Sequence, residues 1–131
     1  VSRGLPASAR PPHLFLYGTL MRGEPAHRLL AGRATFLAEA TIAGVLLALG
    51  RFPGVVTGRG RVRGEVWRLD GPEVLRALDE YEGYNFERST TTATLASGRR
   101  VRAWVYRYQG PRPRAVRAVI PDGDWRRHRW R

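Results

Sequence analysis

One glutamate stands among the apolar residues of a predicted helix, where its carboxyl group could exchange protons. The segment 72–82 has the spacing of an amphipathic helix, with an apolar stripe made of Val74, Leu75, Ala77, Leu78 and Tyr81. Glu82 falls on the apolar side, one turn beyond Leu78. Burial disfavours the charged form of a carboxyl group, and the negative end of the helix dipole acts in the same direction. The pattern therefore predicts a raised pKa for Glu82, which suits a general acid or base near neutral pH.

The same glutamate also has an ordinary structural interpretation. The helix is expected to end at Gly83, and a frayed helix end would leave Glu82 in water. An ion pair with one of the many arginines would also perturb the carboxylate without any catalytic role. The neighbouring Asp79 and Glu80 do not share a helix face, and they are predicted to be solubilising surface residues.

A second candidate is the loop Tyr17-Gly18-Thr19-Leu20, which follows a short apolar segment. A glycine directly after a strand lets the chain turn so that consecutive backbone N–H groups converge. Such a concavity binds an anion without a basic side chain, and a carboxylate or phosphate would fit it. The alternative is an ordinary glycine turn, which the Gly-Thr pair alone would favour.

Several reaction classes find no support in the sequence. The chain has no cysteine, and its three histidines (His13, His27 and His128) lack the spacing of metal ligands. It contains no Gly-x-Ser-x-Gly motif for a serine nucleophile. The stretch 58–61 matches neither a Walker loop nor a dinucleotide fingerprint, and it is predicted to be a flexible turn. We therefore expect neither a metal nor a cofactor.

The elements that would position these candidates indicate an α+β domain. Strands are predicted from apolar runs and alternation over 13–17, 35–49, 61–69, 87–95 and 99–108, with a turn at 51–54 and a hairpin turn at 96–98. A short helix is expected over 25–30. The 72–82 helix has Asp70 as a candidate cap, Pro72 in its first turn and Glu73 three residues after the cap. These elements predict a small mixed or barrel-like sheet with two short helices.

The charge of the chain suggests a second class of function. The 131 residues include 23 basic residues, all arginine, against 11 acidic ones, giving a formal net charge of +12. Complete replacement of lysine by arginine resembles a coding bias, so the charge is discounted as evidence for nucleic-acid binding. Trp104, Tyr106 and Tyr108 alternate with arginines as in a stacking platform, but they share one strand face that also needs a core. A nucleic-acid partner is therefore not expected, although an Arg-rich nucleic-acid-binding module stays as an alternative.

Length and composition predict one domain. Residues 1–12 are rich in Pro, Ala, Ser and Arg and are predicted to be a flexible leader, while 13–131 form a single domain with an Arg-rich C-terminal tail. The tail, from Arg126 onwards, is expected to be solvated. The longest apolar stretch is far short of the ~20 residues that span a bilayer. With no cysteine and no apolar signal segment, the sequence predicts a cytoplasmic protein without a membrane partner.

Six motifs together resemble a known family. They are Leu16-Tyr17-Gly18-Thr19-Leu20, Phe52-Pro53-Gly54, Gly64-Glu65-Val66-Trp67, Leu78-Asp79-Glu80-Tyr81-Glu82-Gly83, Ala103-Trp104-Val105-Tyr106 and Gly123-Asp124-Trp125-Arg126. Each motif is short, but the Tyr-Gly-Thr-Leu and Glu-Gly elements in this order and at these separations form a fairly specific signature. From Phe15 to about Arg127, the chain resembles the γ-glutamylcyclotransferase-like (AIG2-like) family.

The resemblance implies a small mixed β-barrel with short flanking helices and a cavity for one glutamyl group. It implies that backbone amides of Tyr17, Gly18, Thr19 and Leu20 hold the α-carboxylate of a γ-glutamyl substrate, and that Glu82 is the general acid/base. The substrate's α-amine would attack its own γ-carbonyl, giving 5-oxoproline and a free amine. Because the nucleophile belongs to the substrate, no serine or cysteine is needed.

Other positions in the motifs carry weaker expectations. Pro53 and Gly54, from the second motif, and Tyr106, from the fifth, are expected to contribute to substrate binding. A buried Tyr106 with a purely structural partner fits the pattern equally well.

The chain departs from the family pattern in one place, and it leaves rival functions open. Many members place a tyrosine two residues before an arginine after Glu-Gly, but here Phe86 precedes Glu87-Arg88, so a hydroxyl is missing if this residue reaches the site. The first rival function is a non-catalytic small-molecule binder on the same fold, because fold does not guarantee activity. The leaving amine and the oligomeric state stay open.

Overall fold

The computed structural model describes residues 11–114 and 118–129, so most of the predicted leader lies outside the described residues. The elements in chain order are β1 (His13–Leu16), a 3₁₀ helix (His27–Leu29), β2 (Ala34–Ala48), β3 (Pro53–Leu69), α1 (Glu73–Glu82), β4 (Phe86–Leu95), β5 (Arg100–Tyr108), β6 (Val119–Ile120) and α2 (Trp125–Arg129). Within the described residues, no helix has the length and apolar character needed to cross a membrane.

Five strands close into a mixed barrel, which confirms the predicted α+β fold class. The strand β1 pairs antiparallel with β3 and, at Leu14 and Trp104, parallel with β5. The ring continues through antiparallel pairs of β3 with β2, β2 with β4, and β4 with β5. The two-residue β6 extends the sheet along β2. Closure leaves β1 with a neighbour on each side, which explains its continuous apolar run.

The core fills the inside of this ring with branched and aromatic side chains. Leu14, Phe15 and Leu16 of β1 are all buried, and so are residues from each of the other barrel strands: Ile42, Val62, Val66, Ala93, Ala103 and Val105. The strands β4 and β5 pair antiparallel on either side of the predicted hairpin turn at 96–98, with Glu87 opposite Arg107 and Thr94 opposite Arg100. Alternation along these strands was therefore a valid signal.

The predicted flexible turn at 58–61 is wrong, because these residues lie inside the 17-residue strand β3. The register between β2 and β3 shifts between Ala43 and Val45, which marks a bulge. A Cβ atom on Gly58 would stand 2.4 Å from Val45 Cγ2, so the two strands can approach here only because Gly58 has no side chain. Glycine therefore serves a close strand contact at this position, not a turn.

Two expectations about helices also need correction. The predicted helix over 25–30 is only the 3₁₀ turn His27–Leu29. The helix α1 begins at Glu73, its N-cap residue is Pro72, and no side chain caps it, so Asp70 is not the cap. The backbone N–H of Asp70 instead donates to Arg33 O (3.0 Å), which holds this residue at the end of the barrel. The predicted end of the helix is correct, since Gly83 follows the last helical residue.

Part of the predicted solvated tail is a helix held against the barrel by a buried glutamate. Trp125 at the start of α2 is buried, and Arg126 Nη2 lies 3.3 Å from Glu65 Oε2. Glu65 is fully buried and also accepts from Arg22 Nε (3.3 Å) and Trp67 Nε1 (3.0 Å). Its carboxylate thus joins β3, the loop after β1 and α2. The arginine at 126 neutralises this carboxylate rather than facing water alone.

We expect Glu65→Ala to lower the free energy of unfolding by about 3 kcal/mol, because it leaves the buried Trp67 Nε1–H and the Arg22 backbone N–H without their acceptor and removes the carboxylate that Arg22 and Arg126 share. The matched control is Glu39→Ala, which removes a carboxylate that is 61% exposed and also pairs with Arg22. That control should cost less than about 1 kcal/mol. Urea denaturation of the three proteins measures both values, and equal losses in the two variants would contradict the role given to Glu65.

Candidate active site

A cavity of about 230 Å³ brings the two candidate regions of the sequence together. It opens between the loop after β1, the start of β3 and the end of α1, and it is lined by Phe15, Leu16, Tyr17, Gly18, Thr19, Leu20, Phe52, Pro53, Tyr81, Glu82, Phe86 and Tyr106. Its volume lies below the ~300–1,000 Å³ of pockets for drug-sized ligands. The cavity therefore suits one small chemical group.

Tyr17 fixes the loop of the cavity to the barrel. Its hydroxyl donates to Tyr106 O (2.6 Å) and accepts from Val55 N–H (3.3 Å), which connects the loop after β1 to β5 and β3. Burial raises the pKa of Tyr17, and the nearby charge of Glu82 raises it further. The hydroxyl is thus a neutral structural bridge, and the ring of Tyr17 forms part of the cavity wall.

The wall of the cavity includes residues 18–20, which lie in a hydrogen-bonded turn. Gly18 O accepts from Met21 N–H (3.0 Å) and Thr19 O accepts from Ala26 N–H (2.9 Å), which stabilises the turn. Within the described residues, the N–H groups of Gly18, Thr19 and Leu20 donate to no protein acceptor. A Cβ atom on Gly18 would lie 2.7 Å from Pro53 Cγ, so glycine is needed for the loop to pack on Pro53.

Glu82 lies at the end of α1 and lines the cavity, as its place on the apolar helix face predicted. Burial raises the pKa of its carboxyl group to about 7. Among residues 11–114 and 118–129, no arginine forms an ion pair with Glu82. Desolvation is therefore the cause of the shift, and the two structural interpretations, a frayed end and an ion pair, do not describe this residue.

Asp79 is the residue whose role the sequence prediction missed. It was predicted to be a solubilising surface residue, yet its Oδ1 accepts from the Tyr106 hydroxyl at 2.6 Å. Both of its carboxylate oxygens also accept from Arg88, at 2.9 and 3.1 Å. Asp79 thereby ties α1, which carries Glu82, to β4 and β5. The only sequence signal was indirect, because a buried tyrosine facing a helix needs an acceptor.

The hydrogen bond from Tyr106 to Asp79 determines the direction of the Tyr106 hydroxyl. Tyr106 lines the cavity, as expected, but its hydroxyl binds Asp79 and lies 3.4 Å from Leu75 O. Burial raises the pKa of Tyr106, and the Asp79 hydrogen bond raises it further. The ring is therefore the part of Tyr106 that a ligand would meet.

One predicted binding residue does not reach the cavity. Gly54 is absent from the lining, and a Cβ atom there would meet Leu49 Cδ1 at 2.6 Å and Tyr108 Cβ at 2.8 Å. Its place is the packing between β3 and β5, whereas the neighbouring Pro53 does line the cavity. Phe86 also reaches the wall, so the hydroxyl that a tyrosine at this position would bring is missing from the site.

The set of groups in the cavity defines the chemistry it can perform. Glu82 is the one carboxylate among the described lining residues, and none of them is an arginine. In the part of the chain that the structure describes, no cluster of three or more His, Cys, Asp or Glu side chains could hold a metal ion. A proton-exchanging carboxyl group beside backbone donors suits acid/base chemistry on a small anionic ligand.

The chain belongs to the family described as "Gamma-glutamyl cyclotransferase, AIG2-like", whose model matches residues 14–127. The gamma-glutamylcyclotransferase family protein YtfP of Escherichia coli strain K12 is 34% identical over 115 residues, covering 86% of this chain and 94% of YtfP. A gamma-glutamylaminecyclotransferase of Rattus norvegicus is 33% identical over 84 residues, covering 54% of each chain. The family and these names support a γ-glutamylcyclotransferase-like function.

The fold comparison agrees with the family. A crystal structure of a protein from Pyrococcus horikoshii superposes with a TM-score of 0.72 and 28% identity, covering 90% of this chain and 92% of the other. The barrel fold is therefore shared with a solved structure at 28% sequence identity.

The desolvation of Glu82 should appear in the stability of the protein. A carboxyl group whose pKa is raised by folding adds stability below its unfolded pKa and loses it as pH rises through the folded value. For Glu82 this window runs from about 4.5 to about 7. As the pH rises through this window, the free energy of unfolding of Glu82→Gln should increase relative to that of the unmodified protein by on the order of 3 kcal/mol.

Urea denaturation at pH 4.5, 6 and 8 measures this difference, and pH effects from all other groups cancel in it. The control is Glu80→Gln, which changes an exposed carboxylate in the same helix and should show a constant difference. If the difference in free energy of unfolding between Glu82→Gln and the unmodified protein also stays constant with pH, the Glu82 carboxyl group is solvated.

Proposed function

We propose that the protein converts the γ-glutamyl group of a γ-glutamyl amine or amino acid into 5-oxoproline and releases the amine. The observation that carries the proposal is a desolvated carboxyl group without an ion-pair partner among the described residues, placed in one small cavity with unused backbone donors. Burying such a carboxyl group lowers the stability of the folded protein. A cavity wall with no chemical role could use an apolar residue instead.

Substrate binding would use the loop after β1. The N–H groups of Gly18, Thr19 and Leu20 are the donors for the α-carboxylate of the glutamyl group, at a site with no arginine in its lining. Pro53, packed against Gly18, holds the loop in place. The rings of Tyr17 and Tyr106 enclose the methylene chain and keep it folded towards ring closure.

The reaction needs proton transfers that one carboxyl group can mediate. Glu82, as carboxylate, accepts a proton from the α-ammonium group of the substrate, and the freed amine attacks the γ-carbonyl carbon. The protonated Glu82 gives this proton to the departing nitrogen as the original amide C–N bond breaks. Glu82 then takes the second proton from the ring nitrogen and passes it to the released amine, so that the products are 5-oxoproline and the ammonium form of the amine. A pKa of about 7 lets one group perform these steps at neutral pH.

A non-catalytic binder on the same fold is the competing function. It would use the same loop donors, but it gains nothing from a desolvated acid next to the ligand. The nucleic-acid alternative loses support because Trp104 and Tyr106 are buried and Arg126 is engaged by Glu65.

The experiment is detection of 5-oxoproline by mass spectrometry after incubation with a panel of γ-glutamyl amines and γ-glutamyl amino acids. We expect the unmodified protein to release it and Glu82→Gln to be slower by about 10³-fold or more, because the amide cannot exchange a proton. Glu80→Gln should retain activity, since Glu80 is exposed on the same helix. Release by the Glu82→Gln protein at the normal rate would refute the acid/base assignment, and release from no member of the panel would refute the reaction.

A further inference from the structure

The mouth of the cavity is lined by three aromatic side chains, Phe52, Tyr81 and Phe86, which we call the aromatic rim. Phe52 is 43% exposed and Tyr81 is 47% exposed, although both line the cavity. The rings of Phe52 and Phe86 lie 6.2 Å apart with an interplanar angle of 57°. Exposed rings clustered around a cavity mark a surface on which an apolar part of a ligand can pack.

Other contacts hold the rim in place. The Tyr81 hydroxyl lies 3.3 Å from Thr19 Oγ1, which joins α1 to the loop of the cavity. Phe86 packs edge-on against Tyr108, with ring centroids 5.4 Å apart. The rim is therefore a preformed surface, and a ligand that covers it would not need to order these side chains.

The chain has 23 arginines, but none of them is among the described residues that line the cavity with the aromatic rim. The nearby Arg88 is paired with Asp79, and Arg107 donates to Ser89 Oγ at 2.9 Å. Arg51 precedes Phe52 in sequence but is exposed and does not line the cavity. Among the described residues that line the cavity, a carboxylate on the leaving group would thus meet aromatic rings and the carboxyl group of Glu82, and no arginine.

We propose that the leaving group is an apolar amine, preferably one with an aromatic ring, that has no carboxylate beside the scissile nitrogen. This inference rests on the proposed cyclisation and narrows its substrate class. The cavity of about 230 Å³ takes the glutamyl group, and the amine packs on the aromatic rim outside it. Phe52, Tyr81 and Phe86 are then the residues that set the preference for the amine.

The carboxylate part of the inference is tested with two substrates that differ in one group. γ-Glutamyl-phenethylamide and γ-glutamyl-phenylalanine present the same ring, but only the second has a carboxylate next to the scissile nitrogen. We expect kcat/KM to favour the phenethylamide by about tenfold or more, because the carboxylate is desolvated without a partner. Equal values, or a preference for γ-glutamyl-phenylalanine that Arg51→Gln removes, would overturn the inference.

The aromatic part is tested by comparing γ-glutamyl-phenethylamide with γ-glutamyl-methylamide. We expect the ratio of their kcat/KM values to be about tenfold in favour of the phenethylamide, and to fall towards one in Phe52→Ala, mainly through KM. The control is Leu37→Ala, which removes an apolar side chain of similar exposure on β2 that does not line the cavity, and should leave the ratio unchanged. A ratio that persists in Phe52→Ala would overturn the role of the rim.

The panel also separates this inference from the function on which it rests. Turnover of both amino acid and amide substrates without preference contradicts the rim and leaves the cyclisation intact. Turnover of none of the three substrates, with 5-oxoproline released from another member of the wider panel, also contradicts the rim alone. Release from no member of the wider panel contradicts the cyclisation itself, and the inference falls with it.

Discussion

The burial of one carboxyl group, Glu82, is the constraint on which the cavity depends. A helix normally places its carboxylates in water or beside a cation, but α1 ends with this one facing the cavity between the helix and the barrel. Burial then raises its pKa to about 7, because the charged form loses its hydration. The fold must hold α1 firmly enough that the carboxyl group cannot simply turn into solvent.

Two hydrogen-bonded tyrosines that line the cavity provide that rigidity. Tyr17 connects the loop after β1 to β3 and β5 through its hydroxyl, and Tyr106 connects β5 to α1 through Asp79. The ion pair of Asp79 with Arg88 extends this connection to β4. Both tyrosines line the cavity, and their hydroxyl groups are hydrogen-bonded to other parts of the fold. Glu82 and the loop amides are then the polar groups available to a substrate.

The sequence predicted the parts of the site that depend on local patterns. The position of Glu82 followed from helix periodicity, and the loop at Gly18 followed from a glycine after a buried strand. The roles of Asp79 and of Gly58 were beyond such patterns, because each depends on a partner from another strand: Tyr106 for the first and Val45 for the second. The same holds for Arg126, whose partner Glu65 is 61 residues away. Local composition describes a glycine or an arginine, but only the closed barrel determines what it meets.

We expect Glu82 to hold its proton up to near neutral pH in the folded protein. The most direct test is an NMR titration of the glutamate side-chain carboxyl carbons after ¹³C labelling, with the Glu82→Gln spectrum assigning the resonance. We predict one resonance that titrates with a midpoint near 7 and is missing from the variant. A midpoint for Glu82 near the ordinary glutamate value of about 4.5 would contradict the burial of this group, and a solvated carboxylate could not serve as both acid and base at neutral pH.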